Sequence, residues 1–359
     1  MVWSRNERQT LLQPPTFYLN TSTTQSQPQF SVVSPHLIPI SMSSQFPLLR
    51  LPGVVLSEVF KSLNIEEKFK LSLCSKKIFT QINNAQFYSQ KVIVGLDVLN
   101  QSIEVYSENI KDAFEIFNCS YTGTINNLDI QQCQIEGRVV PVISFAKGIS
   151  IFWENNQEGF LSVIRYLLKM FRCKFSMYNN YNSDSYKNTI SELFNLQVEF
   201  KKLTIYLRGS EDEHLFWNRI SNKFGFVEDL IILCPHDPDF RPVFRPVFTS
   251  WPQKIYILNS DWFTMNSLLK CPCTTITLWN STLGNKELDL ILKNWKTGGF
   301  PNIEFMKITS HNISNNGTTI LGMNLMQLNG KVIQTDDGSK KATFKPGNQR
   351  IEISVTLFQ

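Results

Sequence analysis

At 359 residues the chain exceeds the usual size of one domain and holds enough material for two or three units around a sizeable core. Hydrophobic residues make up 42% and charged ones 18%, the balance of a globular protein, and a formal charge of +5 without any block of five or six like charges excludes the footprint of a dedicated nucleic-acid binder. No apolar window approaches the roughly 18 residues of a membrane span, so neither nucleic acid nor membrane is an expected partner.

Seven scattered cysteines and an N-terminus, "MVWSRNERQT", without an apolar leader predict reduced thiols in the cytoplasm or nucleus. Residues 1–45, rich in Ser, Thr, Gln and Pro, read as a disordered tail that cannot offset its ordering entropy. "HLIPI" within it reads as incidental apolar residues more than as a docking motif.

From Leu51 the pattern becomes helical. Pro52 suits a first helical turn, and Val55 with Val59, then Leu56 with Phe60 and Leu63, recur at spacings of three and four. After a stop at Asn64, "IEEKFKLSLCSKKIFTQI" resumes with acids in its first turn and Phe69, Leu73, Ile78 and Ile82 as apolar positions; "CSKK" is expected to divide it. A helical hairpin plus one short helix is too small for a robust core, so its apolar face is expected to be covered by another molecule or by the following domain.

This stretch, "LPGVVLSEVFKSLNIEEKFKLSLCSKKIFTQI", resembles an F-box, the helical module that docks onto the Skp-type linker of Skp/cullin/F-box ubiquitin ligases. Leu51 and Pro52 match its opening, Val55, Leu56, Val59, Phe60 and Leu63 its first helix, Glu67, Phe69, Leu71 and Leu73 its acidic, leucine-rich second part, and Lys76 and Lys77 its basic pair. Val54, Lys68 and Ile78 depart from it, standing where an acid, an apolar residue and Trp are usual. The resemblance implies that Leu51, Pro52, Val55, Leu56, Val59, Phe60, Leu63 and Phe69 contact the linker protein and, through it, reach cullin.

Residues 91–156 read as a strand-rich bridge after the F-box helices of 46–90. "KVIVGLDVLNQSIEVYS" offers two alternating runs around "LNQS", and "RVVPVISFAKGISIFW" two more around "AKG". From 157 to 359 a helix-then-strand unit recurs. "QEGFLSVIRYLLKMF" places Phe160, Val163, Leu167 and Phe171 on one face before "CKFSMY", and four similar units follow; "QKIYIL" lacks a preceding helix. The pairs Phe175/Met177, Leu203/Ile205, Leu230/Ile232, Ile255/Ile257, Ile276/Leu278 and Met306/Ile308 are spaced by 28, 27, 25, 21 and 30 residues, which are leucine-rich-repeat lengths. Such strands can stack in parallel, each unit covering the next. Cys234, Asn259 and Asn280 follow three of them by two residues, where leucine-rich repeats usually place Asn or Cys at three. The region 160–350, including "TDDGSKKATF", also resembles the F-box-associated region of nematode-type F-box families, which implies substrate binding. The final segment predicts a hairpin turned at Asp336 to Ser339 plus a closing strand.

Several clusters invite chemistry. Cys234 with His236, and Cys271 with Cys273, are soft ligands, but their one-residue spacing across a proline differs from a zinc knuckle and favours buried or loop thiols. Asp237 and Asp239 fit a solvated Asp-Pro turn better than a cation site. His214 has no neighbouring nucleophile and orienting acid, and "GTTILG" lacks the Lys and strand-loop-helix context of a phosphate loop. "RPVFRPVF", a tandem repeat with two prolines, reads as an extended loop, a tolerated surface duplication more than a contact arm; Arg241 and Arg245 are the candidate partner contacts on the second reading.

The expected fold class is therefore α+β with an α/β repeat: an N-terminal helical F-box, a small sheet, and an irregular leucine-rich-repeat-like β/α solenoid with a strand cap. The expected function is a non-catalytic adaptor with no cofactor and no metal, bringing an unidentified protein substrate to the ligase by proximity. Strand alternation nominates Thr204, Tyr206, Tyr256, Thr277 and Lys307 as substrate contacts, and a one-residue slip would exchange them with the core set. The alternative is a scaffold that binds the linker or other proteins without recruiting cullin.

Overall fold

The computed structural model describes residues 48–85, 92–108, 113–120, 130–146, 148–177, 184–235 and 246–357. The tail of 1–45, with "HLIPI", lies outside them, as do His236, Asp237, Asp239, Arg241 and Arg245.

Three ten-residue helices come first: α1 (Gly53–Ser62), α2 (Ile65–Cys74) and α3 (Lys76–Ala85). Pro52 is the cap of α1 and its carbonyl accepts the first helical bond, from Leu56 N–H at 2.9 Å. Asn64 starts a helix as well as ending one. Its Oδ1 accepts from Glu67 N–H at 2.8 Å while Glu67 Oε2 accepts from Asn64 N–H at 2.9 Å, a reciprocal capping box. Ser75 then separates α2 from α3, its hydroxyl accepting from Ile78 N–H.

The next residues form β1 (Val92–Asp97), β2 (Ser102–Ser107), β3 (Ala113–Ser120), β4 (Gln131–Ile135), β5 (Arg138–Phe145) and β6 (Gly148–Trp153). The sequence pattern predicts four strands here and the structure has six; β3, with buried Phe114 and Ile116, and β4, with only Cys133 and Ile135 turned inward, are additional. After them come α4 (Asn156–Phe171), β7 (Lys174–Met177), α5 (Asp184–Asn195), β8 (Phe200–Tyr206), α6 (Glu211–Ile220), β9 (Val227–Leu233), β10 (Lys254–Leu258), α7 (Met265–Leu269), β11 (Thr275–Leu278), α8 (Asn285–Lys296) and β12 (Phe305–Thr309). An antiparallel group closes the chain: β13 (Val332–Gln334), β14 (Lys340–Gly347) and β15 (Arg350–Leu357).

The fifteen strands of the described residues lie in one mixed sheet, ordered β13-β14-β15-β12-β11-β10-β9-β8-β7-β1-β2-β3-β6-β5-β4. Strands β7 to β12 are parallel and sit in chain order, and β1 pairs in parallel with β7, so the strands of 91–156 continue the same sheet. Two apolar rows cross the parallel part in register: Leu203, Leu230, Ile255, Ile276 and Met306, and beside them Ile205, Ile232, Ile257, Leu278 and Ile308. The first pair departs from its sequence alignment. Met177 stands opposite Leu203 and Phe175 opposite Phe200, because the register shifts by one residue between Phe175 and Ser176.

The turns after two of these strands stack as well. Asn259 and Asn280 have φ of 56° and 52°, a left-handed conformation that Asn tolerates better than most residues. Asn280 Nδ2 donates to Asn259 Oδ1 at 2.5 Å, and Asn259 Nδ2 to the Cys234 carbonyl at 2.7 Å, forming a short amide ladder between successive turns. Ser260 and Ser281 follow in the same turns and, like Ser310 after β12, are buried.

The helices α1 to α3 do not stand apart from this body. Phe69 on α2 is fully buried, with its ring centroid 5.4 Å from Phe114 of β3 and 5.8 Å from Tyr166 of α4. Tyr166 donates its hydroxyl to Ser72 at 2.9 Å, and burial pushes its phenol above the usual range. Leu56, Phe60, Ile65, Leu73 and Ile82 join the same continuous core. The apolar face that the sequence left to another molecule or to the following domain is thus covered largely by the chain itself.

Candidate functional site

Two surfaces carry the sequence-nominated residues. On α1 the apolar positions form two stripes about 100° apart on the helix. Leu56 and Phe60 point inward at 4% and 1% exposure, and Phe69 is sealed behind them. The side chains of these three nominated linker contacts are packed in this chain's core. The other stripe stays outside, with Pro52 and Val55 exposed and Leu51, Val59 and Leu63 half-buried. Val54, set aside in the sequence as a departure, is 78% exposed and extends this apolar patch. The signal that could have found it was the spacing of Leu51, Val55 and Val59 by four, a row distinct from Leu56 and Phe60. Lys68, another of the three departures, is buried within α2.

The second surface is the sheet face opposite the apolar rows. Register aligns Thr204, Ile231, Tyr256, Thr277, Lys307 and Glu352 across six strands, so four of the five nominated contacts share one row and Tyr206 stands two residues along β8. Tyr206, Tyr256, Thr277 and Lys307 are half-buried, whereas Thr204 is buried and less available than alternation implied. Lys307 Nζ lies 3.0 Å from Glu352 and 5.3 Å from the Trp279 ring centroid; Arg208 lies 5.4 Å from the Tyr206 centroid. A neighbouring row sets Asp229 between Lys202 and Lys254. Burial raises the Asp229 carboxyl, against the pull of those lysines. Burial also works against charge on Glu228, but hydrogen bonds from Lys174 and Lys201 outweigh it and hold that carboxyl below its ordinary value. Around these groups lies a cavity of 260 Å³ that reaches Tyr106 and Ile93. Apolar side chains rimmed by paired charges make this a surface suited to polypeptide contact.

The remaining motifs resolve differently. Cys234, Cys271 and Cys273 are buried; Cys273 donates to the Pro252 carbonyl, and contact with Cys271 together with burial raises its thiol. Among the described residues no group of three or more His, Cys, Asp or Glu side chains is placed to hold a metal ion. Phe248, read from sequence as part of an exposed arm, stacks on Trp251 at 4.4 Å and meets Trp217 edge-on at 5.1 Å, so the end of the tandem repeat anchors in an aromatic cluster. No helix among the described residues is long and apolar enough to cross a membrane.

Comparison with known proteins agrees with this layout. A family model described as F-box domain matches residues 48–90, covering α1 to α3, and one described as F-box associated matches residues 243–308, covering β10 to β12 with α7 and α8. E3 ubiquitin-protein ligase hecw-1 of Caenorhabditis elegans is 22% identical over 285 residues, which cover 71% of this chain and 22% of that protein. The chain therefore spans about a fifth of the length of this curated relative. No solved structure matches.

Proposed function

We propose that this chain, which carries an F-box domain followed by an F-box associated segment, is a substrate-recognition adaptor of a Skp/cullin/F-box ubiquitin ligase. F-box/F-box-associated adaptors are generally non-catalytic, and the chemistry assigned to this chain is proximity: it raises the local concentration of substrate lysines at an enzyme carried by other subunits.

The observation that carries the reading is the apolar stripe left outside on α1. Val54 and Val55 stand exposed side by side next to half-buried Val59, with Leu51 and Leu63 packed against the core at the edge of the patch; a linker protein that covers them removes that surface from water. Pro52, Val54 and Val55 form its centre in this reading, and Leu56, Phe60 and Phe69 support it from beneath. We read β7 to β12 with their helices as irregular, leucine-rich-repeat-like units, a reading supported by the in-register rows and the Asn259–Asn280 ladder, and assign substrate to their open face through Tyr206, Tyr256, Thr277 and Lys307.

The test is affinity capture of the full chain with a Skp-type linker and cullin, beside the variant Val55→Asp. Since Val55 is on the surface, its replacement is expected to leave thermal stability within about 0.5 kcal/mol. Linker capture is expected to fall at least tenfold. Wild-type levels of linker on Val55→Asp refute this docking face. Linker without cullin on the wild-type chain supports the scaffold alternative.

A further inference from the structure

A third surface lies on β1, β2, β3, β5 and β6, outside both family-matched segments and away from the linker stripe. Along one row of the open sheet face, register sets Gly95, Glu104, Glu115, Gly148 and Phe145 side by side on β1, β2, β3, β6 and β5. The two carboxylates are direct cross-strand partners, an arrangement in which like charges repel at a Cβ separation of roughly 5 Å. Both are exposed, and among the described residues neither has an ion-pair partner. Partial burial and the neighbouring Glu115 raise the Glu104 carboxyl. The nearest cation in the row, Lys202, follows Gly95 and Ser176 and stands three strands away, about 14 Å.

Glycines bound the pair on either side. A Cβ on Gly148 would collide with the Glu115 carbonyl oxygen and meet the Phe145 ring at 2.9 Å, whereas one on Gly95 would make ordinary contact with Tyr106 Cε1 at 3.4 Å. Phe117, two residues beyond Glu115, lies 5.9 Å from Phe145 between centroids, and Phe145 is 39% exposed. The result is a patch of open sheet on which two exposed, uncompensated carboxylates stand beside Tyr106, Phe117 and Phe145.

We propose that this patch docks a basic side chain, Lys or Arg flanked by apolar residues, on an extended segment of a partner protein. The carboxylates supply the charge that such a side chain complements, and the ring faces supply both apolar contact and cation–π attraction. A neutral or acidic segment would leave the repulsion in place. The inference stands independently of linker docking, and Tyr106 is shared with the cavity beside Glu228 and Asp229.

The test is selection of a displayed random dodecapeptide library on the full chain, followed by titration of the enriched peptides against Glu104→Gln/Glu115→Gln, Phe145→Ala and Tyr256→Ala. Peptides with a central Arg or Lys between apolar residues are expected. They are expected to bind the double Gln variant at least tenfold more weakly, Phe145→Ala more weakly, and Tyr256→Ala as tightly as wild type. The double Gln variant removes repulsion, so its melting temperature is expected to stay at or above wild type and misfolding is not the cause of lost binding. Enrichment without basic residues, undiminished binding to the double Gln variant, or loss only with Tyr256→Ala overturns the proposal.

Discussion

Replacing Phe69 with Ala tests whether the F-box helices and the sheet form one folded body. The ring is fully buried and touches two other elements, Phe114 on β3 and Tyr166 on α4. Removing it deletes most of an aromatic side chain from a site lined on both sides by rings that cannot collapse without moving a strand. Such truncations cost about 3 to 5 kcal/mol. With a urea dependence of about 3 kcal/mol/M, the upper end for small proteins, that cost moves the unfolding midpoint by about 1 to 1.7 M. The assay is urea denaturation followed by tryptophan fluorescence, because Trp217, Trp262 and Trp295 report on the parallel strands far from α2 in sequence. A single transition displaced by that amount is expected, with Phe69→Leu falling in between. The reasoning is refuted if Trp fluorescence unfolds at the wild-type midpoint while far-UV helical signal alone shifts, since α1 to α3 would then be an independent module.

Two further predictions concern the turns and the charges. Asn259→Ala strands the Cys234 carbonyl and Asn280 Nδ2 and also forces a left-handed conformation on Ala, so it is expected to cost about 2 to 4 kcal/mol by the same urea assay, with Asn259→Gly costing less. Equal loss with both substitutions would show that the ladder contacts dominate over backbone strain. The folded-state carboxyl of Glu104 is raised above its ordinary 4.5, so its charge opposes folding above the folded-state value and this penalty fades as the pH drops towards 4.5. Glu104→Gln is accordingly expected to raise the melting temperature at pH 7 by a margin that shrinks towards pH 4.5; a margin constant with pH contradicts the like-charge account.

Much was legible because it depends on neighbours in sequence. The stop at Asn64, the break at Ser75, the inward face of α4 and the spacing of the parallel strands all follow from patterns within a turn or a strand, where geometry has a fixed period. The hairpin at the C-terminus was equally local, turning around Asp336 to Ser339 between β13 and β14. Residues such as Cys133 and Ile135 were less legible, because two apolar positions on a strand with three exposed glutamines give too weak an alternation to stand out.

Periodicity alone determined that α1 is amphipathic, that the later strands have one apolar and one mixed face, and which residues fill those rows. Tertiary structure decided what each face meets. An apolar side chain lowers free energy equally well against its own chain or against a foreign subunit, so the pattern of Leu56, Phe60 and Phe69 could not reveal that the chain's own core had claimed them and left Val54 and Val55 to water. The one-residue shift at Ser176 and the meeting of Glu104 with Glu115 likewise arise from pairing between strands, which no single strand encodes.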